Sequence, residues 1–191
     1  LLADPLSGCR YPDEAGPALV THYDPALRHP AVRRALRPGA IVRLGGAPTS
    51  ATLLAALEEW ADVPQVLFRS DGRWGDQLGT VTEHYALDGA DLLSRLPPGE
   101  PGAFAHRWQQ VEGALRSAAS ALPDDFLEGW VARTVVEEAP AGSVVFVSSS
   151  MPIRDVDAFG GPGRTEFTAL GNRGASGIDG VHAHKLPYRF P

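Results

Sequence analysis

The stretch "SSSMPIR" (148–154) sets three hydroxyls a few residues ahead of an arginine. Further on, "GNRGASGIDG" (171–180) surrounds a second arginine with glycines at every third position. A guanidinium presents a planar fork of N–H donors that grips a carboxylate or phosphate through two parallel hydrogen bonds. Backbone N–H groups at a helix start favour an anion, and a serine hydroxyl adds one more donor. Glycine is used where the chain takes positive φ or where another group approaches the backbone closely. The chemistry that Ser150, Arg154 and Arg173 could do is therefore non-covalent capture of one or two anionic groups. The plainer alternative is that Ser149 or Ser150 caps a helix while Arg154 pairs with Asp155 or Asp157 in solvent. Residue chemistry alone leans to that alternative. The glycine spacing matches neither G-x-G-x-x-G nor G-x-x-x-x-G-K-[ST], so neither standard nucleotide fingerprint applies.

Other constellations are weaker. "GGAPTS" (45–50) has half of a nucleotide-binding turn but lacks its third glycine, so a plain strand-to-helix turn is expected. Asp71-Gly72 in "SDGRWGD" (70–76) shares part of a metal-diphosphate "GDG" motif. Without the preceding glycine and a later asparagine it reads as a surface turn anchored by Trp74. "THYD" (21–24) sets His22 near Asp24 with no nucleophilic serine beside them, and a helix-surface histidine is expected. His182 and His184 lack a third ligand for a metal. Glu58, Glu59, Glu137 and Glu138 read as solvated helix faces, and Cys9 as an inert thiol beside a turn.

Behind the two arginine loops the chain alternates strand and helix. "AIVRLGG" (40–46) is a short apolar run, and "TSATLLAALEEWA" (49–61) puts Leu53, Leu54, Leu57 and Trp60 on one helical face, with Thr49 or Ser50 as its cap. "PQVLFRS" (64–70) is a second buried strand, which completes a βαβ unit and calls for a parallel sheet. A strand over 80–87, a short helix over 89–96 and a loop over 97–102 follow. Helices over 103–121 and 124–138 are separated at Pro123. Then come "GSVVFVSSS" (142–150), the strongest strand, a helix over 151–160, and a last strand over 165–171. The expected fold is α/β: an open, mainly parallel, Rossmann-like sheet with helices on both faces. Ligands of such sheets lie beyond the carboxyl ends of the strands, where both arginine loops would stand.

With 191 residues, 43% hydrophobic and 21% charged, the chain has room for one well-buried domain and perhaps an appendage. A net charge of −6 without a basic block argues against a nucleic-acid partner. A single cysteine excludes an intrachain disulfide framework and fits a reducing, cytoplasmic setting. No run of about 18 apolar residues is present, so stable membrane insertion is not expected.

Five segments occur in one order at familiar spacing: "ADPLSGCR" (3–10), "HYD" (22–24), "RLGGAPTS" (43–50), "VSSSMPIRD" (147–155) and "GNRGASGIDG" (171–180). Together they closely resemble the 2-succinyl-5-enolpyruvyl-6-hydroxy-3-cyclohexene-1-carboxylate synthases, thiamine-diphosphate enzymes of menaquinone biosynthesis. The last segment is the most specific. The resemblance implies a fragment of a three-domain enzyme: residues 1–160 as the central α/β domain, 161–180 as the start of the diphosphate-binding domain, and 181–191 as an atypical tail, foreign or frameshifted. It implies a decarboxylating transferase that uses thiamine diphosphate and Mg²⁺ or Mn²⁺. Its substrates would be 2-oxoglutarate and isochorismate, and the parent would be a homo-oligomer. The fragment alone is expected to be inactive, to bind neither cofactor nor metal, and to hold no catalytic residue. The positions matching Ser150, Arg154 and Arg173 bind substrate carboxylates in that family. A basic residue that contacts substrate there is replaced by Ala51 here. Two other classes compete: a non-catalytic nucleotide-binding module for FAD or ADP, and a structural domain that supports oligomer contacts.

Overall fold

The computed structural model describes residues 1–13, 19–89, 91, 95, 99–121, 123 and 127–172. Arg173, the rest of the glycine loop, His182, His184 and the 181–191 tail lie outside the described residues, as does most of the expected 89–96 helix. The chain forms two compact units. One is Tyr23–Ala114; the other joins Leu1–His22 to the chain from Leu115 onward.

In the first unit, helices α1 (Tyr23–Arg28) and α2 (Pro30–Ala35) precede strand β1 (Ile41–Leu44). Helix α3 (Ala51–Glu59), strands β2 (Gln65–Phe68) and β3 (Glu83–Tyr85), and the beginning of helix α4 (Ala103–Ser120) follow. Two of these helices, α2 and α3, start at a side-chain cap. Ser50 accepts the Leu53 N–H at 2.9 Å and so caps α3. His29 accepts the Ala31 N–H at 3.2 Å ahead of Pro30, a residue suited to a first helical turn. The three strands are parallel in the order β1-β2-β3, with Ile41 opposite Gln65 and Val66 opposite Glu83. Leu27, Leu36, Ala56, Leu57, Trp60 and Leu67 are buried, which gives the β1–α3–β2 unit the apolar face that its helical spacing required.

The turn at 70–76 has a second anchor beside the expected one. Trp74 is 64% exposed, donates its indole N–H to the Asp76 carbonyl at 3.1 Å and stands edge-on to the His84 ring at 5.6 Å. Asp76 is the buried anchor: it is ion-paired to Arg43 at 3.0 Å and accepts the Val81 N–H at 2.8 Å. Burial opposes its charge, but those hydrogen bonds outweigh burial and hold its carboxyl below the usual range.

In the second unit, Leu2 forms a parallel bridge with Val20. Helix α5 (Glu128–Glu137), strand β4 (Val144–Val147), helix α6 (Met151–Phe159) and strand β5 (Thr168–Gly171) complete it. Strands β4 and β5 are parallel, with Val144 opposite Thr168 and Val147 opposite Gly171. Its core gathers Tyr11, Ala132, Val136, Val147, Ile153, Val156 and Phe167. The Tyr11 ring stacks on Phe167 at 4.1 Å, and burial pushes its hydroxyl up to about 12. Among the described residues every strand pair is parallel, and helices stand between β1 and β2, between β3 and β4, and between β4 and β5. The described strands are divided between two sheets, of three and two strands, where a single sheet was expected.

The His22 expectation is also corrected. It precedes α1 and is 3% exposed, with Nδ1 3.2 Å from the Thr21 hydroxyl oxygen.

Candidate functional site: the loops at the ends of β4 and β5

Strand β4 ends at Val147, and Ser148, Ser149 and Ser150 carry the chain into α6. Pro152 stands in the first turn of that helix, where its missing N–H costs nothing. Ser150 occupies the cap position at φ 77°, ψ −131°, the only non-glycine positive φ among the described residues. A side chain there is strained by about 1–3 kcal/mol, and such strain persists only where the surroundings impose it.

The contact beside it comes from the neighbouring loop. Asn172, the residue after β5, is 2% exposed. Its Oδ1 accepts the Ser149 backbone N–H at 2.6 Å, and its backbone carbonyl accepts the Ser149 hydroxyl at 3.2 Å. The two loops are thereby clamped one residue before the strained position. Gly171 contributes differently. A Cβ there would stand 2.9 Å from a Leu6 methyl and 3.1 Å from the Val147 carbonyl oxygen. This glycine is needed for close backbone approach, and its φ is not positive.

Arg154 is exposed one turn into α6. Its Nε donates to the Ser150 carbonyl at 3.1 Å, and Nη2 lies 3.3 Å from the Met151 sulfur. It forms no ion pair among the described residues. Asp157 is buried and bound by Arg10 at 2.8 Å. Burial raises the Asp155 carboxyl, the Glu128 charge raises it further, and Arg154 acts in the opposite direction. The plainer alternative is thus not what forms: Ser150 makes no side-chain capping bond, and the Ser149 hydroxyl turns to Asn172. Ser150 and Arg154 stand together at the carboxyl end of β4, and Arg173 falls outside the described residues. Asn172 was missed in the sequence. Its signal was its place between Gly171 and Arg173, since a buried carboxamide beside a turn must find a backbone partner.

The other motif segments prove structural. Ser50 donates to Asp24 at 2.5 Å, and Arg28 holds the other Asp24 oxygen at 2.7 Å, so "HYD" and "PTS" meet in a saturated hydrogen-bond set. Ala51 is the first residue of α3 and is exposed. Arg10, at the end of "ADPLSGCR", is fully buried. Besides Asp157 it donates to the carbonyls of Gly161 at 3.1 Å and Thr21 at 2.9 Å.

The fold is thus an α/β arrangement of parallel strands, and at the carboxyl end of β4 an exposed guanidinium stands one turn beyond a serine whose hydroxyl makes no capping bond. No family model matches the chain. Among curated proteins it is 38% identical over 196 residues to a protein of Myxococcus xanthus, covering 97% of this chain and 32% of the relative. It is 35% identical over 187 residues to one of Bacillus pumilus and 37% identical over 195 residues to one of Natronomonas pharaonis. All three are named 2-succinyl-5-enolpyruvyl-6-hydroxy-3-cyclohexene-1-carboxylate synthase. The chain belongs to that synthase family. It spans about a third of the length of the curated relatives it matches.

Proposed function

We propose that this chain is the substrate-gripping part of a thiamine-diphosphate-dependent synthase that decarboxylates 2-oxoglutarate and joins the resulting succinyl unit to isochorismate in menaquinone biosynthesis. Residues 1–160 act as the central domain and the following segment as the beginning of the diphosphate-binding domain. Both substrates are carboxylates, and Arg154 with Ser150 and Arg173 grips them. Thiamine diphosphate supplies the carbanion chemistry when bound in the complete, cytoplasmic, homo-oligomeric enzyme, with Mg²⁺ or Mn²⁺ on its diphosphate. Among the described residues no three His, Cys, Asp or Glu side chains gather as a metal site. On this reading the work of this chain is to bind and orient acids, and the chain by itself lacks activity.

The observation that carries this reading is the exposed Arg154 guanidinium, without an ion-pair partner among the described residues, beside a strained Ser150 whose hydroxyl makes no capping bond. In the full-length protein, Arg154→Ala should raise KM for 2-oxoglutarate and lower kcat/KM by roughly a hundredfold or more, the scale of losing a charge-assisted bidentate pair. Near-normal kinetics would refute the assignment. This chain mixed with thiamine diphosphate, Mg²⁺ and both substrates should release no CO₂.

A specific observation also favours a packing role. Val144, Phe146 and Leu170 are exposed on one face of β4–β5, and Leu127, Val131 and Val135 form an exposed stripe ahead of and along α5. Such faces are ordinarily covered in parallel α/β proteins. Val135→Lys, read by the oligomeric state of the full-length protein in sedimentation, tests that role separately from catalysis.

A further inference from the structure

The second unit has a cleft beside α4 and α5, an exposed apolar face on β4–β5, and a hydrogen-bonded pair that joins the ends of β4 and β5. The cleft encloses about 180 Å³ and is lined by Arg116, Arg133 and Arg164, with Glu137 among them. Its cations already have work. Arg133 donates to the Ala119 carbonyl at the end of α4, and Arg164 bridges Glu137 and Glu138 at 3.0 Å each. Nothing beside the apolar face identifies what covers it. The contacts of the loop pair lead from Asn172 through Ser149 and Ser150 to Arg154.

We infer that Asn172 is a positioning residue for anion binding: its clamp on Ser149 sets the presentation of Ser150 and, through the Ser150 carbonyl, the orientation of the Arg154 guanidinium. The inference rests on the function proposed above and adds a residue to it. The chain of contacts is short and each link is a hydrogen bond. Asn172 Oδ1 takes the Ser149 N–H at 2.6 Å, and its backbone carbonyl takes the Ser149 hydroxyl. With both donors of Ser149 held, the following residue passes through φ 77°, ψ −131° before α6 can begin. In that conformation the Ser150 carbonyl receives Arg154 Nε at 3.1 Å.

One fork edge of Arg154 is thus tied to the backbone, which fixes how its guanidinium plane can tilt. Bidentate recognition depends on that plane, so a loosened tilt weakens carboxylate binding more than a point charge would suffer. Asn172 is also the residue immediately before Arg173, so one carboxamide, buried at 2% exposure, ties together the two segments that bear arginines. An asparagine fits the task because it is an uncharged acceptor. Alanine removes the acceptor and leaves the Ser149 N–H unpaired, whereas aspartate keeps an oxygen in the same place.

The test uses the full-length protein and reads Asn172→Ala against Asn172→Asp. For Asn172→Ala, KM for 2-oxoglutarate should rise by about tenfold with kcat changed far less, because binding geometry is lost and the reacting centre is untouched. Asn172→Asp should recover most of that KM. Amide hydrogen exchange at Ser149 should accelerate by about tenfold or more in Asn172→Ala, while the α5 amides stay protected. A purely structural role would lower thermal stability and the active fraction and leave KM where it was. Unchanged KM in Asn172→Ala, where Arg154→Ala raises it, overturns the positioning role and spares the proposed function. Unchanged KM in both variants overturns both. Unchanged exchange at Ser149 removes the clamp itself, and with it the inference.

Discussion

Arg10 and Asp157 stand 147 residues apart in the chain and form an ion pair of 2.8 Å with almost no exposure on either side. The same guanidinium donates to the Asp157 and Thr21 carbonyls at 2.9 Å. One side chain therefore fastens the amino-terminal segment to the carboxyl half of α6, whose amino end presents Arg154.

Arg10→Ala should destabilise the second unit by about 3–5 kcal/mol, because it leaves the Asp157 carboxylate buried without its partner and several carbonyls unpaired. Urea denaturation followed by a probe in that unit, such as Trp130 fluorescence, measures it. Arg10→Lys should recover only part of the loss, since one ammonium cannot serve carbonyls on several sides of a planar fork. A midpoint unchanged in Arg10→Ala would show that the pair contributes nothing.

Ser150→Gly separates stability from binding at the anion loop. Glycine adopts φ 77° without the penalty a side chain incurs, so the variant should be more stable by about 1 kcal/mol. Ser150→Val should be less stable by a similar or larger amount, because a β-branched side chain tolerates that conformation poorly. Thermal unfolding checks both. If Ser150 serves as a donor to the substrate, the glycine variant should bind 2-oxoglutarate more weakly in spite of its greater stability.

What could be read beforehand divides along physical lines. The βαβ unit from 40 to 70 and the strand before Ser148 were legible because apolar periodicity and turn residues are local signals. Arg154 was legible as a guanidinium after a strand. Asp76 and Arg10 were not, since their partners lie 33 and 147 residues away and no local pattern reports a distant ion pair. His22 reads as a helix-surface histidine, and only tertiary packing buries it. The separation of the strands into two sheets was equally hidden, because a strand's own residues do not name its neighbour.

Asp155 supplies a pH dependence. Burial first, and then the Glu128 charge, raise its carboxyl above the ordinary value of 3.8. Well below 3.8 both folded and unfolded chains carry the proton, and the group is neutral in each. As pH rises through the raised folded value, the buried carboxylate must ionise, and the stability it contributed in acid is lost. Asp155→Asn removes that loss. Its melting temperature should exceed that of the parent protein at about pH 7 and converge with it at about pH 3. A constant offset at all pH values would assign the effect to packing instead of charge.

Arg43 and Asp76 offer a coupled test in the first unit. Their pair is buried, 7% and 0% exposed at the side chains, yet Arg43 Nη2 has no hydrogen-bond partner among the described residues. A pair so imperfectly satisfied gains little over apolar packing, but removing one partner strands the other charge. Arg43→Met should therefore cost about 3 kcal/mol, because Asp76 keeps only backbone donors such as the Val81 N–H at 2.8 Å. Asp76→Asn retains an acceptor for that N–H, so the double variant Arg43→Met with Asp76→Asn should lose clearly less than the sum of the two single changes. A double-mutant cycle in urea gives the coupling directly. Strict additivity would mean that the two side chains, although 3.0 Å apart, do not depend on one another for stability.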